Sequence, residues 1–149
     1  MALKFSLSTI SVIYCLINPA ASRIIIGMTD KAKDAILDPS AITGWHFHVY
    51  FDAKSKEKAW ALRELVEQHL KDKITELGSF HEKPVGPHPK WSYMLAVVPK
   101  NLQYVFEWMV LNHGDLDVLI HPETGNDLRD HKVSASWIGS SHKIDYEKL

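Results

Sequence analysis

Two histidines one residue apart, His46 and His48, stand in the stretch GWHFHVYFD, Gly44 to Asp52. In an extended chain residues i and i+2 share a face, so the pair presents two imidazoles side by side. Tyr50 and Asp52 share their parity, whereas Phe47, Val49 and Phe51 take the other. More imidazoles follow in proline-rich or turn-like settings: His81 in HEKP, His88 in GPHP and His121 in HPETG. The chain carries nine histidines in 149 residues. Neutral imidazole binds Zn, Cu, Fe and Ni, and it is the side chain that titrates near neutrality, so the excess points to metal or acid–base chemistry. Asp52, Asp117, Glu123 and Asp127 are the carboxylates close enough in sequence to complete a mixed set. Histidines and carboxylates around a metal with open positions are the donor set of non-haem Fe(II) oxygenases. His69, His113 and His142 read as ordinary surface or hydrogen-bonded residues.

Other chemistries lack their motifs. There is no HExxH helix and no cysteine pair; the lone Cys15 cannot form an internal disulfide or a thiolate metal site. Ser79, Ser92, Ser134 and Ser136 have no nucleophile elbow around them, and no glycine-rich phosphate loop occurs. Lys plus Arg is 17 against 18 for Asp plus Glu, and a net charge of -1 recommends neither nucleic acid nor an anionic membrane as partner.

The elements that must position these histidines follow from periodicity. Strict alternation makes 45–52 a strand with one core face. In SKEKAWALRELVEQHLKDK the residues Ala59, Leu62, Leu65, Val66 and Leu70 recur at helical spacing, with Ser55 as N-cap. A strand from about Ile74 to His81, a loop broken by Pro84, Gly86, Pro87 and Pro89, and a strand from about Trp91 to Val98 come next. Leu102, Val105, Phe106, Met109 and Val110 form a second helical stripe that stops near Gly114, and DVLIHP is a short last strand. The tail is polar apart from Trp137 and Ile138 and is expected to pack across an edge or onto a partner.

The order β-α-β-β-α-β is the ferredoxin-like, α+β arrangement: a four-stranded antiparallel sheet with two helices on one face and the other face open. With strand order 4-1-3-2, and taking strands one and three as parallel, the sequence suggests that His46, His48, His81, His88 and His121 gather at one end of the sheet. Residues 44–149 are the expected domain, after a polar leader over 28–43. Residues 1–27 outline a secretory signal peptide, or else a dispensable extension ahead of a start at Met28. The expected location is cytoplasmic, with secretion if the signal reading holds.

The motifs WHFHVYFD, HEKPVGPHP, LNHGDLDVLIHPETGNDLRDH and the late W-I-G resemble the DOPA 4,5-dioxygenase family, in the same order over about Trp45 to Gly139. The resemblance implies an extradiol dioxygenase that cleaves L-DOPA or a related catechol with O2 on the way to betalain-type pigments. It also implies a homodimer and a non-haem Fe(II) centre. Matched motif by motif, it carries roles to His46, His48, His88, His121, His81 and His131. We take His46, His88 and His121 as the metal set and His48 and His131 as acid–base groups, although the motifs leave open which three touch iron. His81 is a further candidate, and Tyr50 and Arg129 are expected to meet the substrate, Arg129 as a fork for a carboxylate. The alternative is a non-catalytic dimeric domain that binds a small ligand on its open face.

Overall fold

The computed structural model describes residues 36–149. The signal-like segment 1–27 and the leader up to residue 35 lie outside the described residues. The fold is that of residues 40–149. Its strands are β1 (Gly44–Phe51), β2 (Glu76–Leu77), β3 (Trp91–Val97), β4 (Asp117–Glu123) and β5 (Ser136–Ile138). Its helices are α1 (Lys56–His69), α2 (Leu102–Asn112) and the short α3 (Asp127–Lys132).

Alternation decides the orientation of β1. Phe47, Val49 and Phe51 are buried against Ala59, Leu62 and Val66 of α1, against Leu70 just beyond it, and against Val105 and Met109 of α2. Burying each large side chain contributes about 2 kcal/mol, and a one-residue slip would exchange all three for His46, His48 and Tyr50. On β4 the same rule sends Val118 and Ile120 to the helices and leaves Leu119 and His121 on the other face. Both helical stripes are narrower than their sequences suggest, since Leu65, Phe106 and Val110 are each 41% exposed. Ser55 makes no side-chain cap; Asp52 instead accepts from the backbone N–H groups of Lys54 and Ser55.

The sheet has the order β2-β3-β1-β4-β5 and every neighbouring pair is antiparallel, the ferredoxin-like βαββαβ core with β5 added at one edge. One expectation is overturned: β1 and β3 run against each other, with Trp45 opposite Val97 and Phe51 opposite Trp91. The parallel pair is β1 and β2, joined through α1, and β3 is inserted between them. The grouping of five histidines at one end therefore does not follow from strand direction. His46 and His121 lie at one end, whereas His81 bridges Ser92 at the other. β2 is also shorter than expected, two residues followed by that isolated bridge.

The face opposite α1 and α2 is not left open. Tyr50, Leu119 and Ile144 form a small second core, with Ala135 and Trp137 packed against it. The tail thus packs on the β4 edge as β5 and then crosses this face. Its loop is tight: Gly139 has φ +81, and an added Cβ would meet the Asp117 carboxylate at 2.7 Å. Among the described residues no helix is long and apolar enough to cross a membrane.

Candidate metal centre

Antiparallel pairing of β1 with β4 sets His46 directly opposite His121 on the face away from α1 and α2. His48, one step along the same face, brings its Nε2 to 3.1 Å from Nε2 of His121. Both are buried, at 8% and 3% exposure. Nδ1–H of His121 donates to the Pro122 carbonyl at 2.9 Å, so its Nε2 is the bare nitrogen and His48 donates to it.

His131 comes from α3. Asn126 caps this helix by accepting from the Arg129 N–H at 3.0 Å. Asp130, itself buried, accepts from the Thr124 N–H at 2.8 Å and the Thr124 hydroxyl at 2.7 Å, which pins α3 to the end of β4. The His131 ring then lies 3.9 Å from that of His121, centroid to centroid. Its Nδ1–H donates to the Asp127 carbonyl at 2.9 Å and leaves Nε2 bare.

His88 reaches the same place by a different route. The loop between β2 and β3 returns across the second face, held where the Asp145 N–H donates to the Pro87 carbonyl at 2.9 Å. The His88 ring sits 4.0 Å from that of His48, and its Nδ1 is 2.6 Å from the Tyr50 hydroxyl. Tyr50 is 2% exposed, so it lies behind His88 and not in the open position expected of a substrate contact. His46 completes the group, with Nε2 3.3 Å from Oε1 of Glu123.

Among the described residues, two sets of three converge so that their ligand atoms lie within 4.8 Å of one another: His46, His48 and His121, and His48, His88 and His131. Among the described residues, the combination of His46, His88 and His121 does not converge in this way. His81 belongs to neither set; its backbone pairs with Ser92 in both directions. Asp52 is spent in the turn before α1, and Asp117 holds the tail through the Ser140 N–H and His142. Of the expected carboxylates, Glu123 and Asp127 reach the site.

The electrostatics favour neutral imidazoles. Burial, and then the imidazoles of His88, His121, His46 and His131, hold His48 well below the ordinary histidine value. Burial pushes His88 and His121 down to about 4, with neighbouring imidazoles adding to it and the Pro122 carbonyl opposing it at His121. His46 is lowered by burial too, against the pull of Glu123. All four are uncharged at pH 7, the form that coordinates a metal without first losing a proton.

This donor set fits a first-row metal. Two nitrogens each about 2.1 Å from one ion stand about 3.0 Å apart at a right angle and about 3.4 Å apart at a tetrahedral angle. The 3.1 Å between the His48 and His121 nitrogens falls in that span. The backbone carbonyl on Nδ1 of His121 is the outer partner that fixes a ligating histidine.

Two cavities flank His48. One, of about 480 Å³, is bounded by His46, His121, Glu123, Asp127 and His131. The other, of about 370 Å³, lies toward β3 and is bounded by His81, His88, Ser92 and Met94. Either has room for a single aromatic ring. A larger cavity of about 700 Å³ between α1 and β2 contains no histidine. Arg129 lines neither histidine cavity; among the described residues, the one lysine or arginine that does is Lys148. No motif marked Lys148, because only the path of the tail brings it there.

Residues 45–148 match the sequence model of the Dopa 4,5-dioxygenase family. A DOPA 4,5-dioxygenase of Amanita muscaria is 36% identical over 122 residues, covering 76% of this chain. An uncharacterized 21.2 kDa protein of Botryotinia fuckeliana is 32% identical over 143 residues, which is 87% of this chain and 75% of its own length. The chain spans about half of the Amanita protein, 52% of its length. The crystal structure of a candidate dioxygenase from Nostoc punctiforme superposes with a TM-score of 0.71 at 40% identity, covering 76% of this chain and 96% of that one.

Proposed function

The chain belongs to the Dopa 4,5-dioxygenase family, and from that premise we propose that it is an extradiol dioxygenase. It would cleave L-DOPA or a related catechol with O2 at a non-haem Fe(II) centre. The observation that carries this reading is the buried pair of His48 and His121 nitrogens 3.1 Å apart, with His46 opposite His121 on the neighbouring strand. His46, His48 and His121 would hold the metal, His48 replacing His88 in the set expected from the motifs. When bound, Fe(II) supplies Lewis acidity toward the catechol oxygens and the electron-transfer chemistry that lets them meet dioxygen. Both oxygen atoms enter the ring-opened product, so no external reductant is needed.

The chain's own contributions are binding, proton handling and exclusion of water. His131 keeps a bare Nε2 in the larger histidine cavity and is the general base for a catechol hydroxyl. Glu123 orients His46 through Nε2. The tail and the loop around Pro87 cover the second face and limit solvent at the reacting end. All five clustered histidines come from one chain, so the homodimer implied by the resemblance is not needed to complete the site; sedimentation of the full chain would test it.

Full-length protein loaded anaerobically with Fe(II) is expected to take up oxygen with L-DOPA and form a yellow product. Absence of uptake with every catechol tried would overturn the reading in favour of a ligand-binding domain. In place of Arg129, Lys148 is the cation among the described residues at the histidine cavity of about 480 Å³, where it pairs with Asp145 at 2.7 Å. Lys148→Met is expected to raise KM for L-DOPA about tenfold, the loss of roughly 1.4 kcal/mol. KM for 4-methylcatechol, which has no carboxylate, should stay unchanged. Equal effects on the two substrates would remove Lys148 from substrate recognition.

A further inference from the structure

Among the described residues the Tyr50 hydroxyl has a single partner, Nδ1 of His88 at 2.6 Å. At neutral pH a phenol keeps its proton. Were Nδ1 of His88 to carry the ring proton, two donors would face each other, and the phenolic hydrogen would have to find a different acceptor inside a packed face that offers none by hydrogen bond. A buried donor without an acceptor costs about 1–3 kcal/mol. Donation therefore runs from Tyr50 to His88, and a neutral His88 carries its proton on Nε2. His121 and His131 show the opposite pattern, each giving its Nδ1–H to a backbone carbonyl and keeping Nε2 bare.

We infer that Tyr50 is a positioning residue that fixes His88 as an Nε2–H hydrogen-bond donor and removes it from the metal-ligand set. This inference rests on the metal reading above and decides between the two convergent triads. His48, His88 and His131 are close enough to converge, but Tyr50 holds His88 from Nδ1 in the form that carries hydrogen on Nε2. By contrast, no described residue bonds Nδ1 of His48, which can take up the ring proton when its Nε2 meets a metal. The Nε2–H of His88 would then serve as a hydrogen-bond donor to a substrate oxygen, beside the metal set and not in it. Tyr50 acts through it from behind, held by an edge contact to Trp137 and a tilted contact to His142.

Long-range proton–nitrogen spectra of the metal-free full chain test the tautomer directly, with the His88 signals assigned by their loss in His88→Gln. The wild type is expected to show His88 protonated at Nε2 and bare at Nδ1, and Tyr50→Phe to give a mixture of both forms while the His121 pattern is unchanged. A wild-type His88 protonated at Nδ1, or a pattern indifferent to Tyr50→Phe, overturns the inference. A Co(II) titration supplies the second readout. His88→Gln, which keeps an N–H donor, should hold affinity within about threefold, whereas His121→Gln should lose about a hundredfold or more. Equal losses in the two variants overturn the inference and leave a metal site standing. If the wild type binds no Co(II), the metal reading itself fails, and the spectra still decide the tautomer.

Discussion

His121→Ala is expected to lose metal binding and with it all turnover, because it removes an imidazole that meets three others. Its Nε2 faces His48, its ring lies 3.9 Å from His131, and its strand position is opposite His46. Loss of an outer partner of a metal ligand costs about 10–100-fold in affinity, so loss of the ligand itself should reach at least the upper end of that range. Folding should survive. The cavity left beside His48 opens toward solvent and can admit water, and the orphaned His48 N–H costs about 1–3 kcal/mol. Calorimetric titration with Co(II), beside a thermal melt of the same variant, separates the two effects. Near-wild-type affinity in a folded His121→Ala protein would sink the assignment of the site.

The metal-free protein is expected to lose stability steeply as pH falls from about 6.5 to about 4. In the unfolded chain each histidine protonates near its ordinary value, 6.5, whereas in the folded protein His88 and His121 do so only near 4, chiefly because burial disfavours the charged form. The unfolded state thus binds more protons throughout that window, and acid favours it. The contribution is fully present above about pH 6.5 and gone below about pH 4. At about 1.4 kcal/mol per pH unit, His121 alone accounts for on the order of 3 kcal/mol. Small domains have about 5–15 kcal/mol in total, so the urea midpoint should fall by a large fraction between neutrality and pH 4.5. A metal held by the neutral imidazoles should shift that decline to lower pH. An acid profile that is flat in this window, with the fold intact, would contradict the buried neutral cluster.

The parts of the fold set by side-chain parity were legible in the sequence, and the parts set by chain path were not. Alternation in Phe47, Val49 and Phe51, and in Val118 and Ile120, assigned both faces correctly because burial of several large side chains outweighs any local preference. The helical stripes were found for the same reason. Strand direction carries no such mark: nothing in WSYMLAV says whether it runs with or against GWHFHVYF, and β3 was read the wrong way. That error also removed the stated reason for clustering His81 and His88 with the rest. His88 arrives through a loop whose return is fixed by one backbone hydrogen bond from Asp145, a pairing over distance that no local pattern encodes. At six residues α3 is too short to show a period, so His131 was placed by resemblance alone. Lys148 was missed for want of any motif.

The two faces of the sheet are unequal in a way that bears on how the protein fails. One carries the broad helix-covered core; the other has a small hydrophobic cluster of three buried residues, Tyr50, Leu119 and Ile144, under a tail and a loop. Local opening follows the weaker packing. Warming should therefore detach the tail and the Pro87 loop while β1, β3 and β4 stay paired, so that inactivation and metal leakage precede melting. Cooling such a protein with metal restored should recover activity without any refolding of the sheet.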